Sequence, residues 1–139
     1  MSKREVVERE PISVQFVAAA SDEIEDIRRA WSELESIVEL HGRRFYGAYY
    51  PSEREYRACV ELRESDQPVA GIPTGTLPGG HYLRERLTGE PPAVYERIRP
   101  TFEELVQHAD PDPSRPSLEL YRRRDEIDLL LAVHVERGA

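Results

Sequence analysis

A glutamate and a tyrosine two residues apart, Glu119 and Tyr121, are the side chains of this sequence best suited to chemistry. A carboxylate among aromatic rings is costly to desolvate unless a cation offsets its charge. Ring faces would add about 0.5–2 kcal/mol each by cation–π attraction. Without a cation, the carboxyl can take up a proton and act as a general acid or base, with Tyr121 beside it. The alternative is a water-exposed strand face on which Glu119 and Asp128 pair with arginines.

The final hairpin decides which way this pair points. Its second strand alternates between aliphatic and other residues over 127–135, which predicts that the aliphatic row faces a helical layer. A turn centred on 123–124 would place Leu120 opposite Ile127, so that both face the helices. The acid and the phenol would then lie on the other face. The residues predicted to share that face are Asp128, Leu130, Ala132 and His134.

Aromatic residues in the first half of the chain could form the walls of such a site. Trp31 lies on the apolar stripe of the first predicted helix, and four rings crowd into the next predicted strand, 43–50. Core packing explains some of these rings, but four in six positions exceed what a core usually needs. We therefore expect several to contact a ligand. The residues predicted to bind it beside Glu119 and Tyr121 are Trp31, Phe45, Tyr49 and His134.

Other residues that often carry chemistry lack the necessary neighbours. Cys59 has no adjacent base to activate it, which favours a small buried side chain. The glycines within 78–80 do not form a phosphate-binding pattern. The histidines lie in separate predicted elements without the spacing of metal ligands, so we expect no metal and no cofactor. The four histidines are His41, His81, His108 and His134.

Charge and composition limit the partners. The chain has 139 residues, which predicts one domain over 1–139. With 27 acidic and 19 basic side chains its formal net charge is −8, which disfavours nucleic acid as a direct partner. The basic run 122–124 is followed by two acids and is typical of a solvated hairpin tip. The absence of a long apolar run, the charged start and the single cysteine favour a cytoplasmic protein without a membrane segment.

The elements that must position these residues follow the order strand, helix, strand, strand twice over. Hydrophobic periodicity predicts an α+β fold with two such units, at about 11–63 and 69–136, forming an antiparallel sheet with two helices on one face and a central cleft. We expect Ser21 or Asp22 to cap the first helix, and Pro100 to break the second. The predicted ranges are strands 12–18, 43–50, 56–63, 72–87, 117–121 and 126–136, and helices from residue 24 to about 42 and after 91–92.

Three short motifs in the second half resemble the gyrase-inhibitor-like (GyrI-like) small-molecule-binding domain. They are Pro-Gly-Gly-His-Tyr at 78–82, the helix at 95–105, and Leu-Glu-Leu-Tyr at 118–121 followed by the strand at 127–133. The resemblance implies an effector-binding module in which Glu119 lies at the floor of an aromatic cleft beside Tyr121. In the first unit, if Tyr49 corresponds to Tyr121, Gly47 stands in the place of the glutamate.

The resemblance leaves three classes of function open. The first is a stand-alone binding protein that holds a flat aromatic or cationic small molecule. The second is a cofactor-independent hydrolase that uses Glu119 to open strained cyclopropane rings of natural products. The third is a protein-interaction module, such as one that sequesters gyrase. Only about ten residues precede the first predicted strand, too few for a DNA-reading segment, so we do not expect this chain alone to control transcription.

Overall fold

The computed structural model describes residues 4–135 and confirms the α+β class, with an eight-stranded, antiparallel, curled sheet. None of the helices within that range has the length and apolar character needed to cross a membrane. The elements are β1 (Arg4–Arg9), β2 (Ile12–Ala18), α1 (Ile24–Ile37), β3 (Phe45–Tyr50), β4 (Glu55–Glu61), β5 (Thr74–Leu77), β6 (Gly80–Thr88), α2 (Ala93–Glu96), α3 (Ile98–Leu105), β7 (Ser117–Arg123) and β8 (Glu126–Ala132).

The strand order explains the curl. The sheet runs β1-β6-β8-β7-β3-β4-β2-β5, so β7 and β3 meet at its centre. Outward from this centre, β7 is followed by β8, β6 and β1, and β3 is followed in the same manner by β4, β2 and β5. The pairs β1–β6 and β2–β5 keep one continuous register, and together they form a single ribbon that bends near Pro11 and Gly79. Gly79 is required at the bend, because a Cβ there would lie 2.7 Å from the carbonyl oxygen of Arg9. The bent ribbon joins the two edges of the sheet.

The strand β1 was not predicted. Its sequence, Arg-Glu-Val-Val-Glu-Arg, was expected to precede the first strand, because it is mostly charged. The strand forms because it pairs along its whole length with β6, where Arg4 donates to the buried Glu85 at 2.5 Å. The long extended segment predicted over 72–87 accordingly divides into β5 and β6.

Both faces of the sheet are buried. On one face, α1 packs on β4, while α2 and α3 pack on β6 and β8. The other face, enclosed by the curl, holds a second apolar cluster that includes Cys59, and burial raises the pKa of its thiol to about 12. The prediction of an inert, buried Cys59 is confirmed. The main members of that second cluster are Val14, Tyr46, Ala48, Leu77, Tyr82, Leu118, Leu120 and Leu130.

The helix boundaries differ from the predicted ones. Helix α1 ends at Ile37 instead of near residue 42. The prediction that Ser21 or Asp22 caps this helix is wrong, because the N-cap is Glu23 and no side chain makes a cap hydrogen bond. Ser21 Oγ instead accepts a hydrogen bond from the Glu23 N–H at 3.1 Å, just before the helix begins. The second helix breaks at Arg97, not at Pro100. Pro100 lies in the first turn of α3, where the missing N–H has no intrahelical partner to lose.

The predicted register of the last hairpin is wrong by one residue. An irregularity between Tyr121 and Arg123 shifts the pairing, so that Leu120 lies opposite Asp128 and Glu119 opposite Leu129. The aliphatic row of β8 does face the helices, as predicted, but Glu119 and Tyr121 share that face with it. Leu120 is buried on the opposite, enclosed face.

The strand β8 also ends earlier than predicted. Its last residue is Ala132, and Val135, expected to point inward, is 45% exposed. The strand was predicted to extend to residue 136, which lies outside the described residues.

The connection between β4 and β5 is held by one buried amide. Gln15, 1% exposed, donates through Nε2 to the carbonyl oxygens of Val69 (2.9 Å) and Ile72 (3.2 Å), and its Oε1 accepts from the Val69 N–H at 2.9 Å. Val69 thereby packs beside α1. Without Gln15, the Val69 N–H and the Ile72 carbonyl oxygen would lose these partners, whereas the Val69 carbonyl oxygen would keep the Ile72 N–H at 3.4 Å.

We predict that Gln15→Leu lowers the free energy of unfolding by about 2–4 kcal/mol, because the Val69 N–H and the Ile72 carbonyl oxygen lose their partners. Urea denaturation measures this difference. The exposed Gln107→Leu is the matched control and should change stability by less than about 0.5 kcal/mol. Equal stabilities of the two variants would show that Gln15 does not anchor this connection.

Candidate functional site

The centre of the sheet places Glu119 in a gap between the two helical coverings. Glu119 of β7 lies opposite Gly47 of β3. Leu129 of β8 lies on the other side of Glu119, and Ala58 of β4 lies on the other side of Gly47, so the four residues form one row across the sheet. Helix α1 covers Ala58, whereas α2 and α3 cover Leu129. Gly47 and Glu119, the two central residues of the row, therefore lie between the helices.

One oxygen of Glu119 accepts two phenol hydrogen bonds. Tyr121 donates to Oε1 at 2.6 Å and Tyr56 donates to the same atom at 2.8 Å. The Tyr56 oxygen in turn accepts a hydrogen bond from Trp31 Nε1 at 2.9 Å. This chain of donors orients the carboxyl group and links it to α1.

The other oxygen, Oε2, has no hydrogen-bond partner among the described residues. Within residues 4–135 no side chain donates a hydrogen bond to it and no cation forms an ion pair with Glu119. Two side-chain atoms in that range are both shielded from solvent and without a hydrogen-bond partner, and Oε2 is not one of them. Because Oε2 has no partner, it must be in contact with solvent.

Gly47 makes room for this arrangement. A Cβ at position 47 would lie 2.1 Å from the Tyr56 hydroxyl oxygen and 2.4 Å from Glu119 Oε1. Any residue with a Cβ at this position would therefore displace the Tyr56 hydroxyl and the Glu119 carboxyl group. Gly47 and Glu119, predicted to occupy equivalent places in the two units, face each other across the β3–β7 seam.

Burial changes the titration of all three groups. Desolvation raises the pKa of the Glu119 carboxyl, and the hydrogen bonds from Tyr121 and Tyr56 offset part of that rise. Desolvation and the neighbouring glutamate hold the pKa values of Tyr56 and Tyr121 well above the usual 10. The phenols therefore stay protonated and remain donors, while the carboxyl holds its charge less readily than an exposed glutamate.

Aromatic rings form the walls of the gap. The Trp31 and Tyr121 rings meet edge to face with centroids 5.3 Å apart, and Phe45 lies 6.3 Å from Trp31. From the other side, Tyr95 of α2 meets Tyr121 edge to face at 6.2 Å. Tyr95 is 39% exposed, and its hydroxyl donates to the carbonyl oxygen of Arg124. We call Glu119 with its surrounding Trp31, Phe45, Tyr56, Tyr95 and Tyr121 the aromatic cleft.

The predicted residues divide into two groups. The structure brings Glu119, Tyr121, Trp31 and Phe45 together. Tyr49 shares their face of the sheet, but its hydroxyl donates to Asp22 at 3.2 Å, away from the carboxylate.

His134 and Asp128, predicted to face the same way as Glu119, lie elsewhere. His134 follows β8, with Nε2 3.9 Å from Asp112 Oδ1. Asp128 is buried on the enclosed face, where it binds Arg86 at 2.7 Å. Both misplacements follow from the one-residue error in the hairpin register.

Sequence reasoning missed Tyr56 and Tyr95. Tyr56 lies opposite Tyr49 across the short β3–β4 turn, so the register of that hairpin could have found it. Tyr95 gave no usable signal, because a four-residue helix has too few turns to define a buried side. Among residues 4–135 there is also no group of three or more His, Cys, Asp or Glu side chains able to hold a metal ion.

No protein-family model matches the chain, and no curated protein matches its sequence. Solved structures do share its fold. The integron cassette protein VCH_CASS2 from the mobile metagenome of Vibrio cholerae matches with a TM-score of 0.76 at 17% identity, over 94% of this chain and 95% of that one.

Two further structures carry names that bear on function. SAV2435, solved bound to tetraphenylphosphonium, matches with a TM-score of 0.68 at 10% identity, over 95% of this chain and 94% of that chain. A hydrolase from Listeria innocua matches with a TM-score of 0.58 at 11% identity, over 95% of this chain and 92% of that chain. At these identities the likeness shows a shared fold.

Proposed function

We propose that the aromatic cleft binds an aromatic, lipophilic cation and that Glu119 supplies the counter-charge. The observation that carries this proposal is a desolvated carboxylate with one oxygen fixed by two phenols and the other oxygen without a partner among the described residues. Two neutral donors orient the carboxylate but bring no positive charge to it. A cationic ligand would provide that charge.

The walls of the cleft suit the same ligand. Trp31, Phe45, Tyr95 and Tyr121 offer ring faces and edges to apolar groups, and the ring faces also attract a cation. A diffuse cation bearing aromatic groups loses little hydration on entry. That SAV2435 was solved with tetraphenylphosphonium supports this choice of ligand class and supplies a probe.

Hydrolysis of a strained electrophile is a second candidate, favoured by the raised pKa of Glu119 and its unoccupied Oε2. Oε2 would accept a proton from water while the water oxygen bonds to a ring carbon of a cyclopropane conjugated with a carbonyl group. The ring C–C bond at that carbon would break, its electron pair would pass to the conjugated carbonyl oxygen, and the proton taken up by Glu119 would be returned to the product. Tyr121 would keep the carboxyl oriented. The hydrolase name of one structural neighbour supports testing it. Turnover of a cyclopropane-containing electrophile that is lost in Glu119→Gln would favour this candidate, whereas binding without turnover favours the first.

We predict that Glu119→Gln weakens tetraphenylphosphonium binding by roughly 2–5 kcal/mol, which is about 30-fold to several thousand-fold in Kd, because the cation loses its buried counter-charge. Isothermal titration calorimetry measures the effect. Glu33→Gln, which removes an exposed charge from α1, should leave the affinity within about twofold. Equal affinities of wild type and Glu119→Gln would remove Glu119 from the site.

We predict that the affinity for tetraphenylphosphonium rises with pH and then becomes constant. Only the ionised carboxylate attracts a permanent cation, so affinity falls by roughly tenfold per pH unit below the raised pKa of Glu119. The phenols cause no second change near pH 10, because their pKa values lie well above it. A pH series of Kd values on wild type should show this single step, and the Glu119→Gln series should be flat. A step of the same size in both proteins would contradict the assignment.

We predict that Gly47→Ala reduces affinity for tetraphenylphosphonium at least tenfold and lowers stability by about 1–3 kcal/mol, because the added methyl group displaces Glu119 and Tyr56. Calorimetry well below the unfolding midpoint separates the two effects. Gly75→Ala in the edge strand β5 is the control, since its Cβ would meet two ring atoms of Phe16, at 3.1 and 3.5 Å, and no part of the cleft. Full affinity in Gly47→Ala would mean that the position of the carboxyl does not govern binding.

A further inference from the structure

Trp31 contributes a polar group to the aromatic cleft as well as a ring. Its Nε1 donates to the Tyr56 hydroxyl oxygen at 2.9 Å, and Tyr56 donates to Glu119 Oε1 at 2.8 Å. An indole nitrogen can only donate, whereas a phenol hydroxyl has one proton to donate and lone pairs that accept. Tyr56 must therefore accept from Trp31, which leaves its single proton directed to Glu119. The indole thus fixes the direction of donation along this chain of hydrogen bonds.

Helix α1 holds the indole in this position. Its residues Ala30 and Leu34, on either side of Trp31, are buried against Ala58 and Val60 of β4, so the helix cannot turn about its axis without breaking that packing. Tyr56 comes from the same strand and is only 4% exposed. Because water has so little access to this hydroxyl, the indole N–H is not readily replaced by a solvent donor.

The two phenols determine how readily Glu119 ionises. Within residues 4–135 desolvation raises the pKa of Glu119, the hydrogen bonds from Tyr121 and Tyr56 lower it, and no charged side chain contributes. Of the other residues around the carboxyl, only Tyr95 titrates, and its ring meets Tyr121. A change in the donor strength of Tyr56 therefore acts directly on Glu119. The other residues placed around the carboxyl are Gly47 of β3, Leu129 of β8, Trp31 of α1 and Tyr95 of α2.

The hydrogen bond from Trp31 strengthens Tyr56 as a donor. Desolvation raises the pKa of Tyr56 most, and the Trp31 hydrogen bond acts against that rise. A phenol whose oxygen accepts a hydrogen bond gives up positive charge at its proton more readily, and hydrogen bonds in series polarise one another. The bond from Tyr56 to Glu119 is thus stronger with the indole donor in place than without it.

We infer that Trp31 is a positioning residue whose Nε1–H commits the Tyr56 proton to Glu119 and thereby helps to keep the carboxylate charged for a cationic ligand. The inference rests on the proposed function for its ligand, but the effect on Glu119 belongs to the free protein. It adds a second role to the ring that Trp31 contributes to the wall of the cleft. The two roles can be separated, because the ring can be kept while the donor is removed.

The experiment exchanges one atom of the indole. Trp31 is the only tryptophan in the sequence, so biosynthetic replacement of tryptophan by benzothienylalanine, which has sulfur in place of the N–H, alters this residue alone. We expect the ¹³C titration of the Glu119 carboxyl in the free protein to move to higher pH, because Tyr56 becomes a weaker donor. Tetraphenylphosphonium should bind about twofold to threefold more weakly on the acidic side of that titration and equally well on its alkaline side.

Two variants test whether the effect depends on the donor and passes through Tyr56. Phe45→Leu removes a ring beside Trp31 and keeps every donor, so it should weaken binding at all pH values and leave the Glu119 titration unchanged. Tyr56→Phe removes the donor to Glu119 outright and should move the titration further than benzothienylalanine does. Replacing Trp31 by benzothienylalanine in the Tyr56→Phe background should then cause no additional change.

The outcomes separate this inference from the proposed function. A Glu119 titration that is the same with tryptophan and with benzothienylalanine would overturn the role of Trp31 while the cation site stands. A movement of the same size in the Tyr56→Phe background would overturn it as well, because the effect would not pass through Tyr56. If tetraphenylphosphonium does not bind, the proposed function fails, and the titration of the free protein still decides on Trp31.

Discussion

The structure depends on how a carboxylate is accommodated at the centre of a sheet whose opposite face is an enclosed apolar core. Glu119 meets this constraint by accepting two phenol hydrogen bonds on one oxygen, from Tyr56 and Tyr121. Those donors come from strands on opposite sides of β3, so they can meet only across Gly47, which has no side chain to keep them apart. No cation within residues 4–135 pairs with the second oxygen.

The fold explains why the site lies at the seam. The bent ribbon joins the two edges of the sheet, which encloses one face and leaves the helices to cover the other. Because α1 packs over one half and α2 with α3 over the other, the central strands are the ones not covered by either. Aromatic residues on the helices then reach this gap from both sides, Trp31 from α1 and Tyr95 from α2. The cleft is thus a consequence of packing two separate helical layers on one sheet.

Much of this architecture was predictable from the sequence. Periodicity gave the order of the main helices and strands, and the alternation in β8 correctly indicated a row facing the helices. The resemblance implied that Glu119 lies at the floor of a cleft. The predicted register of the last hairpin, however, placed Glu119 on the face of the sheet away from the helices, which is wrong. The irregularity near Arg122 caused that error, and no pattern in the sequence marks it. Because both faces of β8 are buried, Leu118 and Leu120 could pack beside either of its rows, so hydrophobicity alone could not decide between the two registers.

Other features needed three-dimensional information. The strand β1 was hidden by its charges, which are paired with residues far along the chain, such as Glu85 and Glu104 for Arg4. Tyr56 became recognisable as a donor only when the β3–β4 register placed it beside Gly47. Contacts of this kind depend on tertiary pairing, which local propensity does not encode.

The most direct measurement of the central claim is the pKa of Glu119 itself, followed by the ¹³C chemical shift of its side-chain carboxyl group, free and with tetraphenylphosphonium. A desolvated carboxylate without a cation should titrate above the ordinary glutamate value. The bound cation should then lower that pKa, because binding and ionisation favour each other. An ordinary pKa that does not move when the cation binds would contradict the account.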